Sequence, residues 1–203
     1  MSDVRIDRGV SSGTFSLDGE THAVDNNVWV IGDDHECLVI DAPHSVEDVE
    51  RIVADRRVLA IVCTHAHDDH VRVAPALAAS VDAPVLLHPA DLPVWRLTHP
   101  GLVPDGELTD GQRLLVAGAV VSVLHTPGHS PGAVSLYVEE LGAVFSGDTL
   151  FEGGPGATGR SFSDPDLIVE SIRAKLLTLP PQTAVHPGHG PSTTIGAEAS
   201  ALS

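Results

Sequence analysis

Apolar runs separated by short polar turns alternate along the chain with segments of helical period. Residues 58–63 form a continuous apolar run of the kind found in strands that are buried on both faces. Ser45 is followed three residues later by Asp48, and this pair predicts a helix start because it resembles a capping box. Apolar residues at helical spacing predict the buried face of that helix: Val46, Val49, Ile52 and Val53. The alternation of strands and helices indicates an α/β protein.

The same pattern extends through most of the chain. Further apolar runs predict strands at residues 27–31, 37–40, 84–87, 120–124, 133–138, 143–145 and 183–185. A helix is predicted at residues 71–80. Another begins at Asp164, where a capping residue precedes a proline and an acid, and its inner face is predicted to hold Ile168, Ile172 and Leu176. Residues 89–112 contain four prolines and no sustained period, so we expect them to be irregular.

Composition narrows the class of protein. A chain of 203 residues fits one domain, which we expect to span residues 1–203. Its 28 acidic residues against 11 Lys and Arg give a formal charge of −17. Nucleic acids and anionic membranes bind basic surfaces, so neither is expected as a partner, and a small-molecule substrate is favoured. The abundance of Ala, Val, Asp and Gly, with a single lysine, is typical of a bacterial genome of high GC content.

Targeting signals and a disulfide framework are not predicted. The first five residues lack the apolar stretch of a signal peptide, and no apolar run approaches the ~20 residues that cross a bilayer. We therefore expect a cytoplasmic protein. Cys37 and Cys63 lie in apolar runs and are expected to be buried thiols. The sequence leaves the oligomeric state open.

The candidate chemistry begins directly after the apolar run at residues 58–63. Residues 64–70 read Thr-His-Ala-His-Asp-Asp-His, which suits neither a core nor an ordinary solvated surface. His65 and His67 lie two apart on an extended turn and can share a metal ion, while Asp69 and His70 can turn toward a second ion. Imidazole combined with carboxylate suits zinc, and also iron or manganese. The alternative is a helix N-terminus with incidental histidines.

Three more strand ends carry a polar residue that follows a glycine. They are His129 in Thr-Pro-Gly-His-Ser, Asp148 in Ser-Gly-Asp-Thr and His189 in Pro-Gly-His-Gly. One loop histidine or one Gly-Asp turn is common in proteins without any site there. Together with the H-x-H-x-D-H segment, the three strand ends predict a metal centre.

This set of motifs resembles the metallo-β-lactamase superfamily, and within it the glyoxalase II-like hydrolases, from Asn27 to Gly190. The resemblance implies a four-layer αββα sandwich of two mixed sheets with helices outside. It implies one metal held by His65, His67 and His129, a second held by Asp69, His70 and His189, and Asp148 bridging both. Asp69 and Asp148 are accordingly also expected to be catalytic. Asp41, which matches an early acidic position of the family, is expected to orient the ligand loops.

The resemblance also suggests the reaction. Flavodiiron oxygen reductases carry Glu at the position of His67, so the histidine favours a hydrolase. We expect a binuclear hydrolase that uses a metal-activated hydroxide on a thioester or related ester, with two divalent ions, zinc being favoured over iron or manganese. A mononuclear iron persulfide dioxygenase also fits, because residues 156–160 resemble a Gly-x-x-Gly-Arg stretch found there as well. The motifs are further compatible with a lactonase or β-lactamase-like hydrolase, and with a metal-binding scaffold without activity.

Arg160 ends this Gly-rich stretch and has two possible roles. Its guanidinium can grip an anionic substrate tail through two hydrogen bonds. We favour a structural role instead, in which Arg160 pairs with Asp164 or Asp166 and fixes the loop to the helix start. His186 lies near His189 and is an open candidate for orienting the ligands. The remaining histidines are expected at the surface or at strand ends: His22, His35, His44, His88, His99 and His125.

Overall fold

The computed structural model describes residues 3–201 and contains two six-stranded mixed sheets and a small two-stranded ribbon. Sheet A consists, in spatial order, of β1 (Arg5–Leu17), β2 (Glu20–Gly32), β3 (Glu36–Ile40), β4 (Arg57–Val62), β5 (Val85–Leu87) and β6 (Gly106–Glu107). The strands of sheet B are β7 (Arg113–Val116), β8 (Ala119–His125), β9 (Val134–Val138), β10 (Ala143–Gly147), β13 (Ala184–Pro187) and β14 (Thr193–Thr194). Their spatial order is β14-β13-β10-β9-β8-β7. The ribbon pairs β11 (Leu150–Phe151) with β12 (Gly154–Pro155).

Six α-helices connect or flank these strands. They are α1 (Val46–Val53), α2 (Asp68–Val71), α3 (Ala74–Val81), α4 (Leu92–Thr98), α5 (Pro165–Ser171) and α6 (Ile195–Ala201). A π-helical turn at Ile172–Leu176 continues α5. Within residues 3–201, no helix combines the length and the apolar character needed to cross a bilayer.

The two sheets face each other across a shared apolar core. Trp29 and Ile31 of β2 pack in this core with Val121 and Leu136 of sheet B. Side chains alternate along a strand, so the neighbouring residues of β2 point to the opposite face of sheet A. There, Val28 and Val30 meet the helices. Sheet A is therefore buried on both faces.

Helices cover the outer face of each sheet. Val49 of α1 and Leu77 of α3 pack on the outer face of sheet A. On the other side, Ile168, Ile172 and Leu176 pack against sheet B, as their spacing predicts. The layers are thus helix, sheet, sheet and helix, which confirms the predicted αββα fold.

Local signals account for most element boundaries. The Ser45 hydroxyl accepts the Asp48 N–H at 3.2 Å and starts α1. The Asp164 carboxylate accepts the N–H groups of Asp166 and Leu167 and starts α5. Every strand predicted from an apolar run is present, and both cysteines are buried.

Three predictions of secondary structure were wrong or incomplete. The helix predicted at residues 71–80 corresponds to α3, which begins only at Ala74, because residue 71 is the last residue of the separate helix α2. Helix α4 lies in the stretch predicted to be irregular, and its Pro93 occupies a first-turn position that needs no backbone donor. Strand β1 was missed because only Ser11 and Leu17 of its 13 residues are buried, so it lacks an apolar run.

Candidate metal centre

The H-x-H-x-D-H segment lies between a buried strand and a short helix. Strand β4 ends at Val62, the backbone at His67 is extended (φ −62°, ψ 148°), and α2 begins at the next residue. This change from extended to helical backbone lets His65 and His67 face one cluster while Asp69 and His70 face another. All four of these side chains are buried.

The first cluster consists of three histidines. His67 Nδ1 lies 3.1 Å from His65 Nε2 and 3.0 Å from His129 Nε2. The pKa of His65 lies well below its usual value, mainly because the ring is buried and also because His70 is close to it. Burial and the adjacent His129 lower the pKa of His67 to about 3. These two rings are therefore neutral at pH 7 and can offer lone pairs.

The second cluster combines a carboxylate with two histidines. His189 Nε2 lies 3.1 Å from Asp69 Oδ2 and 3.2 Å from His70 Nε2. Burial opposes a charge on His70, but Asp148, Asp69 and Asp41 overcome it and raise the pKa of His70 well above its usual value. The two carboxylates that face His189 raise its pKa in the same way against the effect of burial.

Asp148 lies between the two clusters. Its Oδ1 is 3.4 Å from His70 Nε2, and its Oδ2 is 3.6 Å from His129 Nε2 and 3.5 Å from His189 Nε2. Burial would raise the pKa of Asp148, but the surrounding histidines, His70 first, lower it well below its usual value. Oδ1 is buried and accepts no hydrogen bond within the described chain. One ionised carboxylate thus faces both clusters.

Backbone carbonyls fix the tautomers of two of these rings. His129 Nδ1 is 2.8 Å from the Ala157 carbonyl, and His189 Nδ1 is 2.8 Å from the Asp25 carbonyl. A carbonyl oxygen can only accept, so each Nδ1 carries a hydrogen, and the neutral form of each ring, which is the form that binds a metal, presents a lone pair on Nε2.

Asp41 does the same for the rings on the H-x-H-x-D-H segment. Its Oδ2 is 2.8 Å from His70 Nδ1 and accepts the Thr64 hydroxyl at 2.8 Å, while its Oδ1 accepts the Thr64 N–H at 2.7 Å. Because that hydroxyl donates to Asp41, it accepts from His65 Nδ1 at 3.1 Å. In their neutral forms, these four histidines therefore turn the Nε2 lone pairs toward the clusters and the two carboxylates. Such a donor set fits metal cations.

Asn26 and His44 also belong to the surroundings of the second cluster, and the sequence analysis missed both. Asn26 Nδ2 lies 3.2 Å from Asp69 Oδ2 and 3.3 Å from His70 Nε2, and Asn26 Oδ1 is 2.8 Å from His44 Nε2. Asn26 is 1% exposed. An amide side chain directly before the apolar run of β2 was the available signal.

Gly188 has no side chain because two site residues occupy the space beside it. A Cβ atom built there would lie 2.5 Å from Asp148 Oδ1 and 2.5 Å from His70 Cε1. The Gly-His pattern at the end of β13 is therefore required by the close approach of the backbone to the site.

A cavity of about 220 Å³ opens onto both clusters. His67, Asp69, His129, Asp148 and His189 line it at the site. Its walls come from the β1–β2 hairpin, through Phe15 and Val24, and from the loop after β12, through Ala157 and Arg160. A substrate would therefore meet largely apolar walls and a polar floor.

Arg160 is bound to the hairpin, and the predicted pairing with Asp164 or Asp166 is wrong. Its Nη2 lies 3.4 Å from Glu20 Oε2 and 3.2 Å from His22 Nε2, and its guanidinium lies 5.1 Å from the centre of the Phe15 ring. The Asp164 carboxylate is engaged in capping α5. Arg160 Nη1 is buried and has no hydrogen-bond partner among the described residues.

His186 lies away from the metal centre. Its ring packs 4.5 Å from Trp29, and its Nδ1 is 2.8 Å from the Ser192 hydroxyl. His88 and His125 form a stacked pair with ring centres 4.0 Å apart. We therefore assign no role at the metal centre to these three residues.

An αββα sandwich that gathers histidines and carboxylates at its strand ends defines a class of metal-dependent hydrolases. The chain belongs to the metallo-β-lactamase superfamily, whose family model matches residues 23–192.

Relatives with curated names agree with this assignment. The chain is 35% identical to the probable metallo-hydrolase YqgX of Bacillus subtilis over 83% of its length and 87% of the relative's. It is 30% identical to the hydroxyacylglutathione hydrolase GloC of Haemophilus influenzae over 87% of its length and 91% of the relative's.

Solved structures of similar proteins share the fold. One is TTHA1623 in a di-iron-bound form, with a TM-score of 0.78 and 38% identity, covering 87% of this chain and 93% of that one. Another is the B3 metallo-β-lactamase BLEG-1, with a TM-score of 0.76 and 33% identity, covering 94% of this chain and 97% of that one.

Proposed function

We propose that the protein is a binuclear metal-dependent hydrolase of thioesters or related esters. The position of Asp148 supports this proposal, because its Oδ2 lies 3.6 Å from His129 of the first cluster and 3.5 Å from His189 of the second, while its Oδ1 lies 3.4 Å from His70 of the second. The ligand sets are His65, His67 and His129 for the first ion and Asp69, His70 and His189 for the second, with Asp148 shared. Asp41 orients His70 and, through Thr64, His65.

The bound ions would supply a hydroxide at neutral pH by lowering the pKa of a water molecule from ~16 toward ~7. The chain's own residues do the rest. Asp69 and Asp148 lie at the cavity floor and orient the attacking water oxygen toward the carbonyl carbon. The water oxygen would bond to the carbonyl carbon and the carbon–sulfur bond would break, with its electron pair leaving on sulfur. The proton lost by the water would pass to the thiolate or to solvent, so the products are the thiol and the acid.

The cavity walls favour an acyl or thiol group with an apolar part and an anionic end. Phe15 and Val24 supply apolar surface. Arg160 Nη1, which is buried and for which residues 3–201 provide no hydrogen-bond partner, supplies a donor for a carboxylate at the wall. The name of the Haemophilus relative, hydroxyacylglutathione hydrolase, supports a glutathione thioester as the first substrate to test.

The donor set favours zinc, because catalytic zinc sites combine imidazole nitrogen and carboxylate oxygen and keep one coordination position open. Iron and manganese accept the same ligands, and the di-iron form of TTHA1623 supports iron as the second metal to test.

A second candidate is a mononuclear iron persulfide dioxygenase. Asp69, His70 and His189 form two imidazoles and one carboxylate within one group, a set that suits non-haem iron. The complete set of three imidazole donors in the first cluster favours the hydrolase, because a single iron at the second cluster would leave His65, His67 and His129 without a metal to bind.

The test is reconstitution of metal-free protein with zinc, iron or manganese. Each form is then assayed on a panel of thioesters, lactones and β-lactams, and on glutathione persulfide with an oxygen electrode. Two metal equivalents per chain with thioester turnover would support the proposal. One iron per chain with oxygen uptake on the persulfide would replace it with the dioxygenase, and lactone or β-lactam turnover alone would replace the substrate class.

A further inference from the structure

Asp91 is a fully buried carboxylate outside the ligand set, and it lies directly before α4. Its Oδ2 accepts the Ala66 N–H at 2.7 Å and the Ser130 hydroxyl at 2.9 Å. Its Oδ1 accepts the Gly132 N–H. One carboxylate therefore holds donors from two separate loops.

These two loops carry every member of the first cluster. Ala66 lies between His65 and His67 on the loop after β4. Ser130 directly follows His129 on the loop between β8 and β9. Asp91 is thus the shared acceptor that sets the distance between the two loops.

The fit around Asp91 is close. A Cβ atom at Gly132 would lie 2.6 Å from the Asp91 backbone nitrogen and 2.9 Å from its side-chain Cβ, so the glycine allows the loop to reach the carboxylate. All three donors are N–H or O–H groups, and a carboxylate can accept every one of them. An asparagine would offer one oxygen and would turn an N–H₂ group toward at least one donor.

We propose that Asp91 is the positioning residue of the first cluster, holding His65, His67 and His129 at the spacing that binds one metal ion. This role rests on the proposed function, because it assumes that the first cluster binds metal. In the second cluster, His70 contacts Asp41 and Asp69 contacts Asn26, and neither contacts Asp91 through the hydrogen bonds that Asp91 accepts from Ala66, Ser130 and Gly132. Substitution of Asp91 should therefore lower the metal affinity of the first site and leave that of the second site unchanged.

The experiment measures the affinity of each site alone by chelator competition, with zinc as the probe. His189→Ala disables the second site and leaves the first to be titrated, while His67→Ala does the reverse. Asp91→Asn is then added to each background. We expect a 10- to 100-fold loss of zinc affinity in the His189→Ala background, the usual range for partners that orient ligands, and less than a twofold change in the His67→Ala background.

Asp105→Asn is the control for a carboxylate that accepts a backbone N–H away from the ligand loops, at an exposed position, whereas Asp91 is buried. Asp105 also accepts a backbone N–H, that of Val85 at 2.8 Å, but it contacts neither ligand loop. It should leave both affinities unchanged. Ser130→Ala removes one donor from Asp91 and gives an answer even where Asp91→Asn fails to fold. Its expected effect is a smaller loss, about 3- to 10-fold, again at the first site only.

Equal losses at both sites would show a general structural role and overturn the proposal, as would unchanged affinity at the first site. If the wild-type protein binds two zinc ions and the variants give either of these results, the role of Asp91 is refuted and the proposed function is not. Wild-type protein that binds none of zinc, iron and manganese refutes the proposed function, and the role of Asp91 with it.

Discussion

Thr64→Val tests the hydrogen-bond chain that joins Asp41 to the first cluster. Valine keeps the volume and shape of threonine but removes the hydroxyl, which is buried. That hydroxyl donates to Asp41 Oδ2 at 2.8 Å and accepts from His65 Nδ1 at 3.1 Å. The substitution therefore removes one partner from each of two buried groups.

The two lost hydrogen bonds contribute different amounts to the free energy of unfolding. Asp41 keeps the Thr64 N–H and the His70 ring as donors, so losing the hydroxyl costs about 1 kcal/mol there. His65 Nδ1–H has no other acceptor among the described residues, and an unsatisfied buried donor costs about 1–3 kcal/mol. The free energy of unfolding of the metal-free protein should fall by about 2–4 kcal/mol. If the His65 hydrogen moved from Nδ1 to Nε2, no unsatisfied Nδ1–H would remain, but the Nε2 atom would then carry a hydrogen instead of the lone pair that binds the metal. Zinc affinity at the first site should therefore also fall 10- to 100-fold.

Urea unfolding of the metal-free protein measures the first effect, and chelator competition with zinc measures the second. Thr14→Val is the control, because the Thr14 hydroxyl meets only Arg72, at 3.2 Å in a half-buried position, and should change stability by no more than ~0.5 kcal/mol. A Thr64→Val protein that matches wild type in both measurements would refute the reasoning about tautomers.

Three further predictions use metal analysis and kinetics. Asp148→Ala should lose both metal equivalents because its carboxylate faces both clusters, and two retained equivalents at a normal rate would disprove the bridge. Lowering the pH from about 7.5 to about 5.5 should release the second ion before the first. The reason is that carboxylates raise the pKa values of His70 and His189, so protons compete there at higher pH; metal content per chain across this range is the measurement. Arg160→Met should raise KM for an anionic thioester and leave a neutral one unchanged, with Arg173→Met, which does not line the cavity, as control. A loss on both substrates, with a lower melting temperature, would assign Arg160 a purely structural role.

The parts of the fold that could be predicted are those set by local sequence. The apolar run at residues 58–63 indicates a strand that is buried on both faces. Ser45 and Asp164 indicate helix starts, because their side chains cap backbone N–H groups two or three residues further along the chain. Helix α4 was hidden because only Val94 and Trp95 among its residues are buried, which is too few to give a period.

The site divides in the same way. The seven ligand candidates stand out because His and Asp after an apolar strand have no simple role in a core. Asp91 has no such signal, since its partners lie 25 to 41 residues away in the chain. Arg160 was assigned the wrong partner for the same reason: Glu20 and His22 lie about 140 residues earlier, on a hairpin that local pattern does not bring near.

Each cluster draws on both halves of the sandwich. His65, His67, Asp69 and His70 follow a strand of sheet A, whereas His129, Asp148 and His189 follow strands of sheet B. An ion bound at either cluster would therefore cross-link the two sheets that enclose the core between Trp29 and Leu136. A free metal concentration of 100 times the dissociation constant would add ~2.7 kcal/mol to the free energy of unfolding by mass action. Metal supply and the stability of the folded chain would thus be thermodynamically linked, so removal of the metal should lower the free energy of unfolding by about this amount.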